Sequence, residues 1–230
     1  MKKIVVLTGA GISQESGIKT FRDSDGLWEE YRIEDVATFE AWERNPKLVL
    51  EFYNQRRKQL MDVKPNAAHL ALVELEKKYK VEIITQNVDD LHERAGSKKV
   101  LHLHGELKKS RSTIDDSLIY DIKGWELKWG DLCSKGSQLR PHIVWFGEAV
   151  PMISLASEIS SQADIFIIVG TSLNVYPAAG LVDFVKPLVP KYLIDPKDCK
   201  TANIKNLTFI KETAGIGVPF LVEKLLQEQN

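Results

Sequence analysis

The 230-residue chain has few cysteines, no surplus of either charge and no long apolar run, and each shortage removes a class of protein. Two cysteines, Cys133 and Cys199, cannot build a disulfide framework or a four-thiolate zinc site. Its 31 basic and 32 acidic side chains give a net charge of −1, so no basic footprint marks nucleic acid as a partner. No segment approaches the roughly 20 apolar residues of a membrane span. The start, Met1-Lys2-Lys3 followed by an apolar stretch, breaks at Thr8-Gly9 before reaching the roughly 7–15 apolar residues of a secretory signal. A cytoplasmic protein with neither nucleic-acid nor membrane partners is expected. Its oligomeric state is open, with a monomer as the default.

What remains has the composition of an ordinary globular protein, 43% hydrophobic and 27% charged. Its length fits one large domain or a domain with an insertion. β-Branched runs at 4–7, 81–85, 165–169 and 192–194, with weaker ones at 100–103 and 207–210, lack strict alternation, as strands buried on both faces do. Helical patterns lie between them at 46–61, 67–78, 154–162, 178–185 and 218–229. Asn66 is a good N-cap for the second, and Pro219 would sit in the first turn of the last. This alternation predicts an α/β fold with a doubly wound, parallel, Rossmann-like sheet. Two stretches interrupt it. Residues 20–65 hold three aromatic-rich helical pieces without a strand, and residues 105–140 are polar and poorly periodic. A single domain over 1–230 is predicted, with a large lobe from about 1–19, 64–104 and 141–230. A small lobe would come from about 20–63 and 105–140.

The first strand runs into Gly9-Ala10-Gly11, a turn that suits a pyrophosphate at a helix N-terminus. As a dinucleotide fingerprint it is incomplete: Gln14 holds the third glycine position, and no acidic residue ends an obvious second strand. On its own the turn serves a plain strand–helix connection equally well. Further along come Gly17-Ile18-Lys19-Thr20-Phe21-Arg22-Asp23, Gln86-Asn87-Val88-Asp89-Asp90, His102-Leu103-His104-Gly105, Val144-Trp145-Phe146-Gly147-Glu148 and Gly170-Thr171-Ser172. In this order, over nearly the whole chain, the series resembles the sirtuin family of NAD-dependent protein deacylases.

The resemblance implies a role for each motif. Gly9, Ala10 and Gly11 would hold the pyrophosphate of NAD, with Phe21 and Arg22 on a cofactor loop. Gln86, Asn87 and Asp89 would line the nicotinamide and ribose pocket, and Gly170, Thr171 and Ser172 would take ribose and phosphate. Ala214 would approach adenine. Asp195 stands where the family commonly has Asn, and its charge would favour NAD over NADP. His104 would be the catalytic base, assisted by Asn87 and Asp89; histidine suits the deprotonation of a ribose hydroxyl because it titrates near working pH. Val144, Phe146, Gly147 and Glu148 would pair with the acylated-lysine substrate as an added strand. Of the other histidines, His69 reads as structural, His92 as a hydrogen-bonding residue at a helix start, and His102 as a packing residue, though it is the second choice for the base. On a strand, His102 would point the same way as His104.

Two features refine the resemblance. Tyr53 and Arg56, at i and i+3 of one helix, match the Tyr-x-x-Arg pattern of class III sirtuins. That pattern implies removal of succinyl and malonyl groups as well as acetyl, with an arginine fork on the acyl carboxylate. Residues 37–45 would help wall the acyl channel, while Arg57 and Lys58 would form a solvated basic face. The family's two Cys-x-x-Cys pairs are absent: 107–113 has no cysteine and Cys133 lacks its second member, so no zinc is expected. Leu118, Ile119, Tyr120, Ile122, Trp125, Leu127, Trp129 and Leu132 would pack that module instead. Two alternatives use the same NAD site, a mono-ADP-ribosyltransferase and a catalytically silent NAD or ADP-ribose sensor.

Overall fold

The computed structural model describes residues 1–18, 27–28, 31–199, 201 and 203–228. Its strands in chain order are β1 (Lys3–Thr8), β2 (Leu27–Trp28), β3 (Tyr31–Arg32), β4 (Lys80–Thr85), β5 (Val100–His102), β6 (Gly105–Ser112), β7 (Ile119–Asp121), β8 (Leu139–Ile143), β9 (Ile165–Val169), β10 (Lys191–Ile194) and β11 (Leu207–Ile210). The helices are α1 (Gly11–Gln14), α2 (Ile33–Val36), α3 (Phe39–Arg44), α4 (Pro46–Asp62), α5 (Ala67–Leu75), α6 (Leu91–Ala95), α7 (Ile153–Ser161) and α8 (Ala214–Gln227). Three departures from the sequence reading stand out. A short antiparallel pair, β2 with β3, enters the stretch expected to lack strands. The segment Ala178–Phe184 is a 3-10 helix rather than an α-helix. And α8 starts at Ala214, so Pro219 lies inside it, its missing N–H falling opposite the Gly215 carbonyl.

Six strands form one parallel sheet in the order β11-β10-β9-β1-β4-β5. This is a doubly wound, Rossmann-like α/β sheet. Period-two alternation sends Ile4, Val6, Ile165, Ile167 and Val169 to a core shared with α5 and α8. Val5, Leu7, Phe166 and Ile168 face the opposite core, under α7 and the 3-10 segment. Both faces are buried, which explains why these strands read as unbroken apolar runs. Asn66 caps α5 by accepting from the Ala68 N–H, and His69 completes a capping box. Among the described residues no helix is long and apolar enough to cross a membrane.

A third core joins α2, α3 and α4 to an antiparallel sheet ordered β7-β6-β8. The face of α4 opposite solvent shows why. Asn54 both donates to the Leu127 carbonyl (3.1 Å) and accepts from the Leu127 N–H (2.9 Å). Arg57 donates to the carbonyls of Trp125 (2.7 Å) and Leu107 (3.2 Å) and to the Asn54 side chain. Arg57 is therefore not on a solvated face, as its neighbours in sequence suggested; it is 1% exposed. Burial lowers its pKa to about 10, which still leaves it charged at neutral pH. Lys58 does remain outside, its ammonium 5.5 Å from the Trp125 ring centroid.

The expected packing set of the cysteine-poor module is corrected in part. Leu127 is buried, and Leu118, Tyr120 and Ile122 pack against the core from partly buried positions. Ile119, Trp129 and Leu132 are exposed, Ile119 because it alternates away from Leu118 and Tyr120 along β7. Replacing Arg57 with Leu should lower unfolding free energy by on the order of 3 kcal/mol, since two buried carbonyls lose a charged donor. Lys58→Leu should change it by less than about 1 kcal/mol. Urea denaturation of the two variants measures the difference; equal effects would contradict the buried clamp.

Candidate active site

Sheet order reverses between β1 and β9, and ligands of doubly wound sheets bind at such a switch point, beyond the strands' carboxyl ends. There the two strand-end loops interlock. The Gly9 N–H donates to the Val169 carbonyl (3.0 Å) and the Gly11 N–H to the Gly170 carbonyl (2.9 Å). A Cβ on Gly11 would lie 2.6 Å from the Gly170 Cα, and one on Gly170 would lie 2.4 Å from the Ile12 nitrogen. The glycines thus permit backbone to touch backbone. The Gly9 and Gly11 amides are engaged by the neighbouring loop.

A cavity of about 680 Å³ opens above this floor. Gly9, Ala10, Gly11, Gly170 and Thr171 line its base, and Asp195 with Ala214, at the N-terminus of α8, lines one end. Ser172 does not line it; its hydroxyl is buried without a hydrogen-bond partner. Phe21 and Arg22 lie outside the described residues.

The strand end after β4 supplies the middle of the cavity. The Asn87 amide donates to the Gly9 carbonyl (3.2 Å) and to the Ser13 hydroxyl (3.1 Å), and Ser13 donates to Asp89 (3.0 Å). Burial raises the Asp89 pKa, opposed by donation from the Leu91 N–H and Ser13. Gln86 donates to the Thr171 hydroxyl (3.3 Å). Ser13 is a site residue that the sequence reading missed, although it sits one helical turn from Gly9.

His104 faces the same space, placed by a turn that only glycine can make. Gly105 has φ +84, and a Cβ there would stand 2.0 Å from the His142 carbonyl. His104 Nδ1 lies 3.0 Å from the Gln86 carbonyl, which can only accept. Nδ1 therefore carries the proton, and the neutral ring keeps Nε2 as an acceptor. Burial lowers the His104 pKa, partly offset by that bond, so the ring is neutral and basic near pH 7. His102 does not share this direction, because β5 ends there. Its ring is held between the Asn87 carbonyl (3.1 Å) and Glu93 (2.8 Å) and lies outside the cavity lining.

At the far end, Tyr53 and Arg56 of α4 both line the cavity, with Ala37 and Gln59 beside them. Tyr53 accepts a hydrogen bond from the Trp145 indole N–H (3.0 Å). Glu148 also borders the cavity, but its carboxylate is engaged within the chain. Arg140 holds it with both terminal nitrogens (2.7 and 3.0 Å), and it accepts from the Trp145 N–H (2.8 Å). Burial would raise the Glu148 pKa, but Arg140, the Trp145 N–H and Arg111 together lower it and keep the group ionised. Val144, Phe146 and Gly147 line the edge. The Val144 N–H donates to the His104 carbonyl and the Phe146 N–H to the Ala37 carbonyl, so this edge is already partly paired.

The residues at the family's zinc positions do not fit a metal. The 107–113 stretch lies along β6 and its end and offers hydroxyls, and Cys133 is packed into the third core. Among the described residues no three His, Cys, Asp or Glu side chains converge on one point.

Comparison with known proteins agrees with this geometry. Residues 9–177 match the Sir2 family. A protein of Bacteroides thetaiotaomicron, "NAD-dependent protein deacylase", is 54% identical, with 98% of this chain and 99% of that protein covered. One of Helicobacter pylori with the same name is 56% identical, with 99% of each chain covered. A crystal structure of a Sir2 homolog–NAD complex superposes with a TM-score of 0.89 at 39% identity, covering 100% of this chain and 91% of that one.

Beneath the glycine loop, the rings of His69 and His92 pack at a 58° tilt with centroids 4.9 Å apart, and His92 Nε2 meets the Thr8 hydroxyl at 3.1 Å. Burial lowers the His69 pKa to about 4. An unfolded histidine titrates near 6.5, so between those values the unfolded chain binds a proton that the folded chain excludes. Stability should be full above about pH 6.5 and fall by roughly 1 kcal/mol per pH unit toward pH 4. His69→Gln retains a capping-box side chain and removes the titration. Its urea midpoint should depend less steeply on pH over that window; an unchanged slope would place the acid loss elsewhere.

Proposed function

The chain belongs to the Sir2 family, and from that premise we propose that it is an NAD-dependent protein-lysine deacylase preferring succinyl and malonyl groups over acetyl. The observation that carries the acyl preference is the pair Tyr53 and Arg56 on one face of α4, at the cavity end past His104. A guanidinium fork and a phenol can bind a carboxylate together, whereas a methyl group gains nothing from either.

NAD, when bound, supplies the ribose carbon that receives the acyl oxygen as nicotinamide leaves. The residues of this chain do the rest. Asp195 and Ala214 border the adenosine end and Thr171 with Gln86 the ribose region, while Asn87 is fixed to the glycine loop beside the reacting centre. Asp89 offers a carboxylate to the positive charge that develops there. His104, with Nε2 turned to the cavity, takes the proton of a ribose hydroxyl. Holding an amide oxygen, a weak nucleophile, in line with its target supplies much of the acceleration. Water is consumed, the amide C–N bond breaks to free the lysine amine, and the acyl group would leave on ADP-ribose. The charge of Asp195 supports NAD rather than NADP, and we place the enzyme in the cytoplasm with a zinc-free small lobe fastened by Asn54 and Arg57.

Mass spectrometry of NAD incubated with acetylated, succinylated and unmodified lysine peptides tests the reading. O-acyl-ADP-ribose is expected; ADP-ribose attached to protein would favour the transferase alternative. His104→Ala should bind NAD yet lose at least about 100-fold in turnover. Arg56→Met should lose about 100-fold in kcat/KM for the succinylated peptide while deacetylation changes little. Equal losses of the two activities would remove the acyl assignment.

A further inference from the structure

Tyr53 is 1% exposed and lines the cavity. The Trp145 indole nitrogen has no lone pair to offer, so in the 3.0 Å contact it is the donor and the phenol oxygen the acceptor. The hydroxyl hydrogen is therefore turned away from Trp145, toward the space that Arg56 also lines. Burial raises the Tyr53 pKa, so the phenol keeps that hydrogen at working pH.

Trp145 is itself held on every side. Its backbone N–H donates to Glu148, and the Arg140 guanidinium lies 3.4 Å from its ring centroid while gripping the same carboxylate. Trp42 packs against the indole at 5.8 Å between centroids. An indole fixed in this way delivers its N–H to one point, and that point is the Tyr53 oxygen.

We infer that Trp145 is a positioning residue for acyl selectivity, aiming the Tyr53 hydroxyl as a donor at the carboxylate of an acidic acyl group. The inference rests on the acidic-acyl reading above and adds the residue that makes Tyr53 effective. An acetyl group has no carboxylate to receive the hydroxyl, so its removal does not depend on this contact.

The test compares Trp145→Phe, Tyr53→Phe, the double variant and Arg56→Met on succinylated and acetylated forms of one peptide at saturating NAD. Trp145→Phe should lose about 10-fold in kcat/KM for the succinylated peptide, mostly through KM, with deacetylation within about 3-fold. In the Tyr53→Phe background the same change should leave the succinyl-to-acetyl ratio unmoved, because the contact is already gone. Benzothienylalanine at position 145 keeps the ring shape and removes only the N–H, so it separates the hydrogen bond from packing if Trp145→Phe folds poorly. It should reproduce the selectivity shift. Equal loss on both peptides, or an unchanged shift in the Tyr53→Phe background, would overturn the inference. If Arg56→Met is selective and the analogue is not, only the role of Trp145 fails. If Arg56→Met is not selective, the acyl reading itself fails.

Discussion

The contact on which the cavity depends is backbone against backbone, where Gly11 meets Gly170. Two parallel strands, β1 and β9, end side by side, and their loops could not both turn over the sheet if either carried a Cβ at this point. With the loops locked, the Gly9 carbonyl is fixed, and the Asn87 amide can reach it. Ser13 then lies between Asn87 and Asp89 and ties the strand end of β4 to the same floor. The order of these residues in space follows from the interlock, because each hydrogen bond takes the previous one as its anchor.

The small lobe solves a different problem. A polar, poorly periodic module that carries one cysteine, Cys133, must stay folded on a helix. Asn54 satisfies both backbone groups of Leu127, and Arg57 satisfies two further carbonyls at 107 and 125. This clamp binds the module to α4. The module's position is therefore coupled to that helix, and so to the acyl end of the cavity.

Much of the large lobe was legible in sequence, for a physical reason. Strands covered on both faces are mostly apolar, so 4–7 and 165–169 stand out by composition alone, and 81–85 does so despite Glu82, which pairs with Lys3 and Lys99. The site's middle was legible through the ordered motifs of the resemblance, since Gln86, Asn87, Asp89 and His104 are short-range neighbours of strand ends. Tertiary contacts were less so. His102 and His104 are chemically alike; the turn at Gly105, next to His104, and the bond from His102 to Glu93 decide which ring meets the cavity. Ile119, Trp129 and Leu132 are as apolar as Leu127, and only the path of the chain leaves them outside. Pro219 was placed by a rule for first turns, while the contacts of Glu15 with Thr213 and Gly215 anchor the helix start one turn earlier.

Arg56 and Arg57 show the same limit most sharply and how it is overcome. They are adjacent and chemically identical, yet about 100° apart around α4. Each has a partner three residues back: Tyr53 for Arg56, Asn54 for Arg57. The first pair borders the cavity and the second is buried against the module. Reading Arg57 as solvated ignored its partner, although Asn54 has the same spacing that singled out Tyr53. A helix with two neighbouring i, i+3 pairs can present one to a ligand and the other to its own protein. Because both pairs share one rigid helix, the bonds that hold the module to α4 also fix where the Tyr53 hydroxyl stands. Trp145 then fixes which way it points.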